Sequence, residues 1–244
     1  LWQLVRRDVL TRYKRSVLGV VWTMLNPLGM MIVLTLAFSQ IFSATRAYSA
    51  YVLTGLVAWT FFAQTTTSAM GQLVWGSSLL KRIYLPRSIF ATSAVGTGLV
   101  NIILSLVPLA IVVLASGVPI RPAVLFLPVS ILLLAMFGLG VALLLSTLAV
   151  YFPDVADMYQ IALTAWMYFT PIIYPESILP EATRSWILGL NPMYHLIVAF
   201  RMPLYDGLLP TLGQLAPAVG VAVVMLFVGW IVFAERADEF AYRV

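Results

Sequence analysis

The sequence predicts an all-α integral membrane protein with six transmembrane helices, and three observations lead to this fold class. Of its 244 residues, 62% are hydrophobic and only 9% are charged, whereas a soluble domain carries roughly a quarter of its residues as charges. Six stretches without any charged side chain are about long enough for a helix across a hydrocarbon layer ~30 Å thick. None of them alternates apolar with polar residues, as the strands of a membrane barrel do.

Residues 1–16 are predicted to form an amphipathic helix that lies in the membrane surface. Apolar residues recur there at every fourth position: Leu1, Val5, Val9 and Tyr13. Five cations stand mostly on the other side: Arg6, Arg7, Arg12, Lys14 and Arg15. This pattern is typical of an interfacial helix. The alternative is a basic flank whose only role is to orient the first span. No cleavable signal peptide is recognisable, so we expect the first span to act as a signal-anchor.

The gaps between charges place the spans at 20–43, 51–75, 91–116, 123–149, 158–175 and 213–234. Residues 1–244 are therefore predicted to form a single membrane domain, with five spans in 20–175 and the sixth in 213–234. Ten of the 14 Lys and Arg residues fall on one side of these spans and four on the other, which predicts that both termini are cytoplasmic. Small residues spaced by four predict close helix contacts: Gly138, Ala142 and Ser146, and Ala94 with Gly98.

The region between the last two spans, residues 176–212, is long and still mostly apolar. Its apolar pieces of about ten residues are too short to cross a bilayer and are interrupted at Pro180, at Asn191-Pro192 and at Pro203. Such pieces predict two short re-entrant or interfacial helices. A further span in this region is the alternative, but it conflicts with the topology given by the charges.

The spans contain no ionisable residue near their midpoints, so a relay for protons or ions is not predicted. A phosphate-binding loop of the G-x-x-x-x-G-K-[S/T] type is also absent, since neither Lys14 nor Lys81 follows a glycine. If ATP drives this protein, a separate polypeptide must therefore bind it. The +5 charge lacks the density of a basic face for nucleic acid and is better explained as a topology signal.

Catalytic and metal sites are not predicted in this chain. Cysteine is absent, which excludes disulfides, thiol nucleophiles and cysteine-ligated zinc. The single histidine, His195, has no nucleophile motif beside it, so a structural role is favoured. Asp154 and Asp157 follow Pro153, where they would cap the next helix and interact with its dipole.

Aromatic and uncharged polar residues are concentrated in the second and fifth spans. Sugars stack their C–H faces on aromatic rings and hydrogen-bond to hydroxyl and amide groups, so this composition favours a path for a glycan. Interfacial aromatic belts and ordinary packing are the alternative for any one residue. The candidate path residues are Trp59, Phe62, Gln64, Trp166, Tyr168, Phe169 and Tyr174.

Four segments together resemble one family. They are RYKRSVLGVVWTMLNPL at 12–28, LLKRIYLPRSIF at 79–90, YFPDVADMYQIALTAWMYFTPIIYP at 151–175 and LGLNPMYHLIVAFR at 188–201. The chain resembles the permease subunit of ABC-2 type exporters, most like those that export polysaccharides such as lipid-linked O antigen or teichoic acid. This resemblance implies the bacterial plasma membrane, a homodimer, and two copies of a separate nucleotide-binding subunit that holds ATP and magnesium.

The resemblance also implies roles for two groups of residues. In the loop between spans two and three, six residues would couple the permease to the ATPase: Leu80, Lys81, Arg82, Tyr84, Pro86 and Arg87. In the 176–212 region, four residues would belong to an outer gate: Trp186, Asn191, Pro192 and Tyr194. Two alternatives stay open, namely an ABC-2 exporter of a drug or lipid, and a membrane-embedded transferase or hydrolase that uses Glu176, Glu181 or Asp206.

Overall fold

The computed structural model describes residues 1, 3–6, 19, 21–75 and 87–237, and these residues form helices and turns without any strand. The all-helical prediction is therefore confirmed for this part of the chain. We number the α-helices in chain order: α1 (Val21–Phe38), α2 (Tyr48–Trp75), α3 (Ser88–Ala115), α4 (Leu127–Tyr151), α5 (Val155–Phe169), α6 (Glu181–Leu190), α7 (Pro192–Arg201) and α8 (Leu212–Arg236). Short 3₁₀ turns occupy Pro122–Phe126 and Glu176–Ile178, and a π-helical turn occupies Met202–Asp206.

Four helices of the described residues are long and apolar enough to cross a membrane: α1, α3, α4 with its preceding 3₁₀ turn, and α8. Their outward side chains are large and apolar, as contact with lipid requires; Leu36 is 78% and Phe227 63% exposed. Helix α2 has the same length as α3, 28 residues, but is richer in Thr, Ser and Gln, while α5 has only 15 residues.

Helix α2 lies at the centre of the bundle, where it contacts α1, α3, α4, α5 and α7. Every residue from Ala50 to Trp59 is buried. Protein rather than lipid therefore surrounds this half of the helix, and helices around it supply its packing partners. This burial explains how a helix with many hydroxyl and amide groups fits into an otherwise very apolar bundle.

The closest helix contact joins α4 to α8 at two glycines. A Cβ atom on Gly140 would lie 2.3 Å from the Met225 carbonyl oxygen, and one on Gly229 would lie 2.1 Å from the Gly140 carbonyl oxygen. Gly98 likewise allows α3 to approach α2, because a Cβ there would lie 2.2 Å from the Thr65 hydroxyl oxygen. The predicted close contact at Gly98 is thus confirmed, whereas Gly138 leaves ordinary space, 4.0 Å to Phe61.

Two helices end earlier than predicted. Helix α1 ends at Phe38 instead of residue 43, and α5 ends at Phe169 instead of residue 175. The residue before a proline disfavours helical backbone angles, and Thr170 before Pro171 is extended, with φ −98° and ψ 132°. The predicted span 158–175 is therefore a short helix followed by a non-helical turn at residues 170–175.

Three connecting segments, residues 39–47, 116–121 and 170–211, gather at one end of the bundle, which we call the loop end. The Ser49 and Ser116 hydroxyl oxygens lie 3.0 Å apart, and the Tyr205 hydroxyl donates to the Arg46 carbonyl. The side chain of Arg121 packs on Gly207 so closely that a Cβ there would lie 2.6 Å from Arg121 Cδ. Gly207 also has φ +66°, which favours glycine.

Residues 3–6 are helical, and Val5 is 6% exposed. A Cβ atom on Gly96 would lie 2.8 Å from Val5 Cγ2, so the start of the chain packs against α3. The rest of the predicted interfacial helix, residues 7–16, lies outside the described residues.

Candidate functional site

Three candidate path residues, Trp59, Phe62 and Trp166, form one aromatic cluster together with Phe137. The centroids of Phe62 and Trp166 are 5.4 Å apart, those of Trp59 and Trp166 are 6.0 Å apart, and those of Phe62 and Phe137 are 5.4 Å apart. Trp59 and Phe62 are buried. Edge-to-face packing of this kind stabilises the contact of α5 with α2 and α4. In one copy of the chain, these buried rings therefore fill the interior rather than line an open surface.

Helix α5 is attached to the bundle by a single face. Tyr159 and Leu163 are buried, and the Tyr159 hydroxyl lies 2.7 Å from Thr66 Oγ1. The rest of the helix faces outward, including two candidate path residues, Tyr168 (59% exposed) and Phe169 (63% exposed). The outward residues mix polar with apolar types: Asp157, Met158, Gln160, Ile161, Ala162, Thr164, Ala165, Tyr168 and Phe169. A face of this mixed character is unsuited to contact with lipid alone.

Asp154 precedes α5, and Asp157 lies in its first turn, where a carboxylate interacts favourably with the helix dipole. The Asp154 side chain makes no capping hydrogen bond, however. The predicted side-chain cap is therefore absent, because Asp154 already has helical backbone angles, φ −65° and ψ −14°, whereas capping residues usually lie in the extended region.

Gln64 lies in a polar crevice between α1, α2 and α3. The crevice is lined by Thr23, Gln64, Thr65, Thr97 and Asn101 among others, and its volume is about 20 Å³, enough for one or two water molecules. The hydroxyl oxygens of Thr65 and Thr97 are buried without a hydrogen-bond partner in the structure.

The predicted gate residue Asn191 organises the turn between α6 and α7. Its Oδ1 accepts hydrogen bonds from the backbone N–H groups of Met193 (3.1 Å) and Tyr194 (3.4 Å), which makes Asn191 the N-cap of α7. The same oxygen accepts from Trp166 Nε1 (2.9 Å), and Nδ2 donates to Thr170 Oγ1 (2.9 Å). One amide thus joins α7 to the end of α5.

The other predicted gate residues have different surroundings. Trp186 on α6 is 71% exposed, and Pro192 occupies the first turn of α7, where its missing N–H is not needed. The pKa of Tyr194 is raised by burial and by the nearby charge of Glu176. His195 lies beside the Tyr194 ring, and its Nε2 is 3.1 Å from the Gly189 carbonyl oxygen.

The hydroxyls of Tyr48 and Tyr51, on the first turn of α2, hold the 170–175 turn. Tyr48 donates to the Ile173 carbonyl (2.8 Å). The Tyr51 hydroxyl lies 3.1 Å from the Pro171 carbonyl oxygen and 3.0 Å from that of Tyr174. The candidate path residue Tyr174 itself donates from its hydroxyl to the Tyr168 carbonyl (2.9 Å). The bond to Tyr168 satisfies a carbonyl that the end of α5 leaves free, and the other bonds hold carbonyls of the non-helical turn.

The sequence does not indicate that Arg201 is buried, because the charge pattern places it in the region between the last two spans. The structure buries it at the end of α7, with 5% exposure. Its Nε donates to Thr54 Oγ1 (3.3 Å) and its Nη1 to the Pro171 carbonyl (3.0 Å). The sequence analysis also did not identify Tyr51 and Thr54 as partners of Arg201. They are one helical turn apart on a predicted span, a spacing that allows both to contact the same side chain.

The predicted coupling residues Leu80, Lys81, Arg82, Tyr84 and Pro86 lie outside the described residues, while Arg87 immediately precedes α3.

Among the residues that the structure describes, no group of three or more His, Cys, Asp or Glu side chains could hold a metal ion. Burial raises the pKa of Asp206, although the charge of Arg201 acts in the opposite direction.

The chain is similar to known transporters over almost its whole length. Residues 1–205 match the model of the ABC-2 type transporter family. The O-antigen export system permease protein RfbA of Myxococcus xanthus is 33% identical over 99% of this chain and 94% of its own length. RfbA of Klebsiella pneumoniae is 25% identical over 98% and 92%, and the polysialic acid transport protein KpsM of Escherichia coli is 22% identical over 95% and 91%. The chain therefore belongs to the ABC-2 type transporter family.

Proposed function

We propose that this chain is the membrane-spanning permease of an ATP-driven exporter that moves a lipid-linked polysaccharide out of the cytoplasm of a bacterium. The observation that carries the proposal is the end-to-end similarity to an O-antigen export permease, with 33% identity. Similarity at lower identity to a polysialic acid transport protein supports the same substrate class. Both favour a glycan over a drug or lipid as the exported substrate.

The energy comes from a separate ATP-binding subunit, since the sequence has no phosphate-binding loop. Residues 79–88 dock on that subunit through Leu80, Lys81, Arg82, Tyr84, Pro86 and Arg87. ATP and magnesium are bound there, and this chain performs no chemistry of its own. The similarity to export and transport proteins favours this function over a transferase or hydrolase that uses Glu176, Glu181 or Asp206.

Six crossings of the inner membrane agree with how the helices are connected. Helices α1 to α5 and α8 each have one terminus at the loop end, and each connection at that end returns the chain into the bundle. Helices α6 and α7 have ten residues each, about 15 Å, which is half of the ~30 Å hydrocarbon layer. They enter and leave at the loop end as re-entrant helices. The loop end faces away from the cytoplasm, and both termini are cytoplasmic.

Two copies of the chain assemble into a homodimer around the glycan path. The unpacked face of α5 supports this arrangement, because its polar and aromatic side chains need a partner other than lipid. Tyr168 and Phe169 line the path in the dimer, and Gln64 contributes from the polar crevice. Trp59, Phe62 and Trp166 act behind them by holding α5 in position, and Tyr174 holds the end of α5.

A pair of matched variants tests the path. Phe169 on α5 and Phe227 on α8 are both 63% exposed, so Phe169→Ala and Phe227→Ala remove the same ring from equally exposed sites. We expect Phe169→Ala to lower ATP-dependent glycan export at least about tenfold through lost stacking on the sugar, and Phe227→Ala to leave export unchanged. Equal export by the two variants would remove Phe169 from the path.

A further inference from the structure

We propose that Arg201 is a positioning residue for export, because its guanidinium joins α2, the 170–175 turn and α7 into one unit that moves together. The consequence for export rests on the proposed function above. The joint itself is a property of the folded chain, and it is tested separately.

From the end of α7, the guanidinium of Arg201 contacts three residues in two other parts of the protein, α2 and the 170–175 turn. Nε donates to Thr54 Oγ1 on α2 at 3.3 Å, and Nη1 donates to the Pro171 carbonyl in the 170–175 turn at 3.0 Å. Its Cζ lies 3.8 Å from the centroid of the Tyr51 ring, also on α2. This arrangement combines a cation–π contact with the directional fork that only arginine offers.

Tyr51 closes the joint from the other side. Its hydroxyl lies 3.1 Å from the same Pro171 carbonyl oxygen that accepts from Arg201. Its ring therefore supports the guanidinium while its hydroxyl holds the turn. One carbonyl thus connects a side chain of α2 to a side chain of α7, and neither residue can move far without the other.

The surroundings of Arg201 favour a structural joint over a binding site for an anion. Arg201 is 5% exposed, and a buried cation is costly. Its charge acts to lower the pKa of the nearby Asp206 carboxyl. Its Nη2 has no hydrogen-bond partner. This nitrogen packs against α2, since a Cβ atom on Gly55 would lie 2.5 Å from it. The charge is thus retained for the contacts that its fork makes.

The position of this joint connects it to the ATPase contact. Helix α2 is continuous over 28 residues, about 42 Å. Its first turns carry Tyr51 and Thr54, and its last turn leads into residues 76–86, which include most of the proposed coupling residues. A displacement applied to the inner end of α2 would therefore reach the 170–175 turn and α7 through a helix and the Arg201 contacts.

Thiol labelling tests the joint without ATPase or glycan. The chain has no cysteine, and Ile172 in the turn is 0% exposed, so a membrane-impermeant maleimide should react slowly with the Ile172→Cys variant. Adding Arg201→Gln should raise the labelling rate at least about tenfold, because the turn loses the charge-assisted hydrogen bond to the Pro171 carbonyl. Adding Arg121→Gln, which changes an exposed arginine at the same end, should not. Equal rates with and without Arg201→Gln would overturn the proposal.

Coupling is tested in vesicles that contain the permease, its ATP-binding partner and lipid-linked glycan. We expect Arg201→Gln to lower the glycan exported per ATP hydrolysed at least about tenfold, and Arg201→Lys not to restore it, because lysine lacks the fork. A fold defect alone would instead lower the amount of complex and both rates together. Unchanged export per ATP would overturn the coupling role. If the unsubstituted complex exports no glycan, the proposed function fails, and the labelling rates still decide whether Arg201 forms the joint.

Discussion

Replacing Asn191 by alanine should strongly destabilise the loop end, and the cost follows from its contacts. Loss of the α7 N-cap costs about 1 kcal/mol. Loss of the bonds to Trp166 and Thr170, at 2.9 Å each, costs about 1 kcal/mol apiece. The Trp166 indole N–H then has no acceptor, which adds about 1 kcal/mol to the cost. The free energy of unfolding of the Asn191→Ala variant should therefore fall by about 4 kcal/mol.

Titration with SDS in mixed micelles, followed by circular dichroism, measures this free energy. Asn26 on α1 is exposed, so Asn26→Ala is the matched control and should change the free energy by less than about 0.5 kcal/mol. A double-mutant cycle with Trp166→Phe should yield a coupling of about 2 kcal/mol between Asn191 and Trp166, since Trp166→Phe removes both the bond and the unpaired indole N–H. If Asn191→Ala stays within about 1 kcal/mol of the unsubstituted protein, the amide does not hold α7 to α5.

Two further predictions concern packing and docking. Gly140→Ala places a Cβ atom 2.3 Å from the Met225 carbonyl oxygen, so the same titration should show that the free energy of unfolding falls by at least about 2 kcal/mol. The control Gly220→Ala has open space at its Cβ position and should leave this free energy unchanged. Equal effects of the two substitutions would contradict the α4–α8 contact. Replacing Tyr84 and Arg87 together by alanine should reduce co-purification with the ATP-binding subunit at least about tenfold and leave the unfolding free energy unchanged. Undiminished co-purification would exclude these residues from docking.

Much of the helical framework could be predicted, because the bilayer constrains where charges occur. The predicted spans 91–116 and 213–234 differ from α3 and α8 by at most three residues at any end. The ten-residue helices α6 and α7 follow from the short apolar pieces between prolines. These features depend on local composition, which a single sequence contains.

Contacts between distant segments could not be predicted. Arg201 and Thr54 are 147 positions apart, and no local pattern indicates that a loop charge becomes buried against α2. Aromatic composition likewise did not reveal which rings face inward, so buried Trp59 and exposed Phe169 entered the same candidate path. Among the small residues of α4, spacing indicated Gly138, while the closest approach occurs at Gly140 because α8 crosses there.

The family resemblance assigned Asn191 to an outer gate, but the sequence did not indicate which contacts its side chain makes. The structure supplies these contacts, since the amide bonds both to the α7 N-terminus and to Trp166. A residue proposed for a gate thus has a defined structural role at the junction of α5 and α7. Movement of one helix should therefore affect the other.

The most direct test of the central claim is glycan transfer across the membrane of vesicles reconstituted from purified components. The account predicts ATP-dependent transfer of lipid-linked polysaccharide when this chain and its ATP-binding subunit are both present, and none when the subunit, the chain or ATP is omitted. Transfer by this chain alone without ATP, or no transfer by the complete set, would contradict the account.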